Sequence, residues 1–157
     1  MSIEKAREYL KAYDLDYQIM EFTVSSATVA EAANALSCKE AEIAKTLSFI
    51  VNEKPILIVA AGDAKVDNSK YKAEFHTKAK MIPFEQVEAM TGHAVGGVCP
   101  FGVNEDVAIY LDASLKRFEI VYPACGSSNS AIQLTVKQLE QITNHQKWID
   151  VCRYMPS

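Results

Sequence analysis

No stretch of this sequence approaches the ~20 consecutive apolar residues that a transmembrane helix needs. Residues 1–8 are charged and polar, without the apolar core of a secretory leader. The chain is therefore read as cytoplasmic. Its four cysteines, Cys38, Cys99, Cys125 and Cys152, form no CxxC pair, which removes the usual zinc and dithiol patterns. They are expected to be reduced thiols, with Cys38 and Cys152 simply packed. His76, His93 and His145 form no HExxH or HxH motif, so no metal site is expected. A GK[ST] phosphate loop and a GxGxxG fingerprint are also missing, and no cofactor is expected. No repeat, low-complexity tract or linker interrupts the chain.

What is present is ordinary for a globular protein: 157 residues, 49% apolar and 23% charged. That length suits one domain over 1–157, with enough core to dispense with disulfides. The net charge of -4 argues against a surface that binds nucleic acid everywhere. The distribution is uneven, however. Residues 65–80 hold Lys65, Lys70, Lys72, Lys78 and Lys80 against Asp67 and Glu74, a window of +3 that leaves -7 for the rest. Such a strip is either a solvated lysine face or a grip for a phosphate backbone.

Spacing of apolar residues predicts a helix over 2–13, with Ile3, Ala6, Leu10 and Tyr13 on one face. A strand is expected over 17–22. Two capping boxes follow: Thr28 to Glu31 opens a helix to about residue 36, and Ser37 to Glu40 opens another to about residue 44. The apolar runs 46–51 and 56–61, joined by a polar turn, predict a hairpin. Residues 83–90 read as a helix with Pro83 in its first turn and Gly92 beyond its end. Strands are expected over 107–111, 117–122, 131–134 and 148–152. A third capping box, Thr135 to Gln138, opens a helix to about residue 142. Strands that often follow one another directly predict an α+β fold, with a mixed, curled sheet and short helices packed outside it.

The most unusual segment is the loop over 92–102, which holds four of the six glycines together with Pro100. Glycine lets backbone approach a ligand closely, and proline stiffens the loop. Such a loop either aims backbone N–H groups at an oxygen or is a tight structural turn. Lys45 stands between an alanine-rich helical pattern and an apolar run. It reads either as a helix-end lysine stabilised by the macrodipole or as a partly buried functional lysine. Cys125 to Ser130 resembles a phosphatase loop only superficially, because residue 131 is alanine where arginine is required. Cys99 and Cys125 are candidate nucleophiles only if a neighbouring cation lowers their pKa, and neither has His or Arg adjacent in sequence.

Taken together, Ala44-Lys45-Thr46-Leu47, Ala61-Gly62-Asp63 with Lys65 and Asp67, and Gly96 to Gly102 resemble a known family. Asp112 with Ser114-Leu115, Gly126, and residues 132–139 continue the match in order. The family is the YbaK/prolyl-tRNA synthetase-associated domain family. The resemblance implies a barrel-like sheet surrounded by helices. It implies a free-standing hydrolase that cleaves the ester of a mischarged tRNA, with tRNA(Pro) carrying cysteine or alanine as the expected substrate type. A non-catalytic aminoacyl-tRNA or nucleotide-binding module of the same fold is the alternative. The family lysine maps to Lys45, expected to bind the phosphate of the 3′-terminal adenosine or to orient the ester. The GxxxP loop maps to Gly96, Gly97, Val98, Cys99 and Pro100, with the N–H groups of 97–99 expected to face the carbonyl oxygen. Thr46, Gly126, Ser127 and Ser128 are expected to line the substrate site, and Lys65, Lys70 and Lys72 to touch tRNA phosphates. An aminoacyl-tRNA synthetase is a further expected partner; DNA and membranes are not. Cys99 replaces a frequent serine, and the turn around Gly126 lacks the basic residues of YbaK itself.

Overall fold

A computed structural model gives the fold of residues 2–154. Helix α1 (Ser2–Lys11) buries Ala6 and Leu10 completely and carries Glu4 in its first turn and Lys11 in its last, as the macrodipole favours. A 3-10 turn, Asp16–Gln18, leads into the short strand β1 (Ile19–Glu21). Helix α2 (Val29–Leu36) starts at Thr28. The Thr28 hydroxyl accepts from Glu31 N–H, and the Glu31 carboxylate accepts from Thr28 N–H.

The end of α2 corrects the sequence reading. Ser37 does not open a second helix; it stops the first, in the left-handed conformation at φ 55°, which ends helices. Only a 3-10 turn, Glu40–Glu42, follows, and the Glu42 carboxylate accepts from Lys39 N–H at 3.0 Å. The chain is then extended from Ile43. Strand β2 (Ile43–Val51) therefore contains Lys45 and Thr46, and no helix dipole acts on the lysine.

Strand β2 turns back into β3 (Lys54–Ala61) in register from Ala44 opposite Ala61 to Val51 opposite Lys54. The turn residues Asn52 and Glu53 both have positive φ, 52° and 66°, the geometry that matches strand twist in a tight hairpin. Next come β4 (Lys65–Val66), α3 (Asn68–Phe75), a 3-10 turn at Phe84–Gln86 and α4 (Val87–Thr91). They are followed by β5 (Ala108–Asp112), β6 (Ile120–Pro123), β7 (Ser130–Ile132) and β8 (Leu134–Thr135). Helix α5 (Val136–Ile142), β9 (His145–Ile149) and β10 (Cys152–Arg153) complete the chain. The capping box at Thr135 and Gln138 is formed as expected.

Three strand expectations shift. The strand expected over 131–134 is two pieces, β7 paired with β1 and β8 paired with β6. The strand expected over 117–122 starts only at Ile120, because the Asp112 carboxylate accepts from Ser114 N–H and caps a 3-10 turn at Ala113–Arg117. The strand expected over 148–152 is two pieces, β9 in the main sheet and β10 paired with β4.

The six-stranded sheet has the order β8-β6-β2-β3-β5-β9. It mixes parallel pairs (β2 with β6, β3 with β5, β5 with β9) with antiparallel ones and curls into a half barrel. Its centre is β3, buried from Pro55 to Ala61, which is why this strand is apolar without alternation. No described helix is long and apolar enough to cross a membrane.

Candidate functional site

A cavity of about 340 Å³ opens between the start of α2, strand β2, the segment around residues 81–87, the glycine loop and residues 122–131. Of the residues singled out from sequence, Lys45, Thr46, Gly96 and Val98 line it. Gly97, Cys99, Pro100, Gly126, Ser127 and Ser128 stand outside its wall. Thr28 and Tyr122 also line it, and three buried serines add further polar groups, Ser26, Ser48 and Ser130. Nothing in their local sequence marks them, because they come from three distant segments.

Lys45 is half-buried and faces Ala60 across the hairpin. Its ammonium donates to the carbonyl oxygens of Gly62, at 3.4 Å, and of Ala64. Burial pushes its pKa down and Lys65 adds to that, while Cys152 and Asp63 pull the other way. The 62–64 turn is itself fixed. A Cβ at Gly62 would lie 2.0 Å from Glu40 O, so only glycine lets the two turns meet. Asp63 forms a bidentate pair with Arg117 at 2.6 and 3.0 Å, which holds its carboxyl below the usual range. The Arg117 guanidinium in turn lies 3.7 Å over the Tyr154 ring. Next to Lys45, Thr46 has a buried hydroxyl without a hydrogen-bond partner.

The glycine loop is stapled to the turn at Gly126. Gly97 O accepts from Gly126 N–H at 3.0 Å, and Gly97 N–H donates to Ala94 O at 3.0 Å. The Gly97 amide is thus already committed, and of residues 97–99 only Val98 stands in the cavity wall. Gly126 is buried, the Ser127 hydroxyl bonds Asn129 and Ser130, and Ser128 is exposed beside Gly96.

The Cys99 side chain points into the core and is fully buried. Burial pushes its thiol far up, and that of Cys125 to about 12. Neither carries the lowered pKa of a nucleophilic thiolate. Among the described residues, no group of three or more His, Cys, Asp or Glu is placed to hold a metal ion.

His93 braces the same loop from behind. It is fully buried; Nε2–H donates to Phe101 O at 2.6 Å, with Cys99 Sγ 3.5 Å away. Nδ1 is buried without a partner. Burial lowers the ring's pKa, Lys5 lowers it further, and the Phe101 carbonyl opposes both. The folded pKa therefore lies below the unfolded value of about 6.5. The unfolded chain binds more protons in that window, so stability is full above it and falls as pH drops. Urea midpoints should fall between pH 7 and pH 5 in the wild type and fall less in His93→Gln, which keeps a donor for Phe101 but does not titrate. Equal falls in the two proteins would refute this.

The basic strip divides. Lys65, Lys72 and Lys78 are exposed, and the last two flank a shallow hollow beside Asn68 and Ser69. Lys70 is engaged, pairing with Asp150 at 3.2 Å and donating to Cys152 O at 3.0 Å.

Comparison with known proteins adds to this geometry. The family model of the aminoacyl-tRNA editing domain matches residues 23–142. The chain is 48% identical to YwhH of Bacillus subtilis, a protein named as uncharacterized, over 98% of both. It is 26% identical to EbsC of Enterococcus faecalis over 90% of this chain and 88% of that one. EbsC is provisionally named a Cys-tRNA(Pro)/Cys-tRNA(Cys) deacylase. A crystal structure provisionally described as a trans-editing enzyme for prolyl-tRNA synthetase superposes with a TM-score of 0.86 at 27% identity, over 97% of each chain.

Proposed function

The chain belongs to the aminoacyl-tRNA editing domain family, and on that premise we propose that it acts in trans as a deacylase on mischarged tRNA. The bond cleaved is the ester between a wrongly attached amino acid and the 3′-terminal ribose. The observation that carries this reading is a half-buried lysine in the wall of a largely apolar cavity whose wall also includes Gly96 and Val98 of the hydrogen-bonded glycine loop.

Attack on the ester carbonyl puts negative charge on its oxygen. Preorganised donors stabilise such charge most in a site that excludes water. Val98, in the cavity wall, supplies a backbone N–H group, and Lys45 supplies a fixed positive charge held by two carbonyls. The described cavity wall holds no carboxylate, histidine or cysteine. A substrate group, the ribose 2′-OH or a substrate thiol, then takes the part of the base.

The cavity, about 340 Å³ with a largely apolar wall, accommodates a small acyl group. Cysteine on tRNA(Pro) is the substrate type that the name of EbsC supports, and alanine is a second small acyl group that the cavity accommodates. Selectivity by size is modest, because one methylene is worth only about 1–3 kcal/mol.

The test is amino-acid release from alanyl-, seryl- and cysteinyl-tRNA(Pro), with prolyl-tRNA(Pro) as control. Release of one small amino acid and retention of proline are expected. Binding without release from any of them would identify a non-catalytic module instead. The tRNA body is gripped through Lys65, Lys72 and Lys78. The logarithmic salt slope of binding should fall by about 0.7–0.9 for each phosphate contact removed in Lys72→Ala and Lys78→Ala. Lys70→Ala should change it less, because Asp150 already neutralises that charge. Equal slopes in all three variants and wild type would remove the strip from the tRNA interface.

A further inference from the structure

The mouth of the cavity carries an apolar lip that neither the core nor the acyl chemistry explains. Met81, Phe84 and Val95 line the cavity, yet they are 60%, 74% and 45% exposed. The lip does not hang loose. Ile50 N–H donates to Lys80 O at 2.8 Å, and Ile82 N–H donates to Ser48 O at 3.2 Å. These bonds run residues 80–82 alongside β2, and Met81 bridges Phe49. Gln86 N–H then donates to Pro83 O at 2.8 Å and closes the 3-10 turn that holds Phe84. On either side, Ile82 and Val87 are buried to 4% and 6% exposure. The chain thus anchors both flanks of Phe84 and holds the ring out at the opening.

Such a ring meets whatever part of the ligand lies at the opening. About 340 Å³ is at the low end of small-ligand pockets, roughly 300–1,000 Å³. An aminoacyl ester seated in the cavity beside Lys45 leaves the base on the same ribose nearest the mouth, where Phe84 stands. The π-face of that base is apolar and flat, as are the exposed faces of Phe84 and its neighbours. Aromatic side chains bind bases by stacking without reading their edges, and rigid placement lowers the ordering cost of that contact.

We propose that Phe84, backed by Met81 and Val95, is the stacking platform for the terminal base of the nucleoside that carries the scissile ester. This rests on the deacylase reading for the identity of the ligand, and it assigns the nucleoside-binding part of the site to a residue outside the lysine and glycine-loop pattern. The ring contributes to holding the substrate and takes no part in the chemical step. Its loss raises KM and leaves kcat nearly unchanged. The surface position of Phe84 means that its replacement spares the fold.

The experiment uses the full chain and a ligand that resists cleavage, 3′-deoxy-3′-(alanylamino)adenosine, in which an amide replaces the ester. Binding is measured by calorimetry for wild type, Phe84→Ala and Phe84→Trp, beside the same sugar amide lacking its base. Phe84→Ala should bind the nucleoside amide about 5- to 100-fold more weakly, the range expected for one lost base–aromatic stack. Phe84→Trp should restore binding, and the base-free amide should not distinguish the three proteins. Equal affinity of wild type and Phe84→Ala for the nucleoside amide would overturn the platform. So would an equal loss for both ligands, which would place Phe84 in the acyl wall, or no binding of the nucleoside amide by wild type. Ester hydrolysis run in parallel separates the two claims. Phe84-dependent binding without release of any amino acid would end the deacylase reading and leave the base platform standing.

Discussion

Lys45→Met should slow deacylation about 100- to 1,000-fold, the usual cost of removing one preorganised electrostatic donor, while the protein stays folded. The two halves of this expectation have separate causes. The rate falls because the charge facing the developing oxyanion is gone. The fold survives because methionine keeps an unbranched apolar stem at this half-buried position. The ammonium pays a desolvation cost, visible in its lowered pKa, and that cost disappears with it. Against this, the Gly62 and Ala64 carbonyls lose a donor, so thermal stability should be unchanged or slightly higher. Lysines that cost stability and supply rate are a common trade at active sites. Lys45→Arg is a sharper probe. It keeps the charge but presents a planar fork in place of a compact ammonium, and it should recover only part of the rate. Single-turnover release from the mischarged tRNA that wild type cleaves best is the measurement. A rate for Lys45→Met within a few fold of wild type would take the lysine out of the mechanism.

Gly97→Ala should damage both activity and stability. The reason is close approach: a Cβ there would lie 2.4 Å from Ser127 N, 2.5 Å from Gly126 C and 2.7 Å from Ser127 Cα. All three atoms are backbone, so no rotamer change relieves the contact. The two loops must separate, which breaks the bond from Gly126 N–H to Gly97 O and displaces Val98 from the cavity wall. Overpacking of this kind costs about 1–3 kcal/mol, or roughly 2–12 °C in Tm for a domain of this size. Deacylation should fall at least 100-fold, since small displacements of oriented groups are costly. Gly96→Ala is the comparison. Its Cβ would meet only the side chains of Ala27 and Ser128 and the Ala27 Cα, at 3.2 Å or more, but its φ is +91°, so its penalty is backbone strain without a backbone collision. If Gly97→Ala keeps the Tm and rate of wild type, the loops are not packed as described.

What could be read from sequence was mostly local. The capping boxes at Thr28 and Thr135, the hairpin around Asn52 and Glu53, and the buried face of α1 each depend on residues a few positions apart. Ser37 misled because its box with Glu40 is as good locally as the one at Thr28. The competing use, a left-handed helix stop, wins because β2 gains two neighbours by starting at Ile43. Ala44 then pairs with Ala61 on one side and with Pro123 on the other. That pairing outweighs the weak helical preference of alanine-rich sequence.

The site divides in the same way. Lys45 and the glycine loop stand out through their pattern, and the structure brings Lys45, Thr46, Gly96 and Val98 to one cavity. Ser26, Ser48, Ser130 and Phe84 could not be found that way, because their common location exists only after distant segments meet. The commitment of the Gly97 amide was equally hidden. It depends on Ala94, and the demand for glycine at 97 depends on Ser127.

The partners of the short strands also say how the site comes into being. Ile19 lies opposite Ile132, and Val66 lies opposite Cys152, so chain segments far apart in synthesis order close the molecule. Folds dominated by such distant pairings form slowly. The cavity wall draws on residues from Ser26 to Ala131, so it is complete only once these distant segments have met. Ester-cleaving ability should therefore emerge late and in one step during refolding, after most of the helical signal has returned.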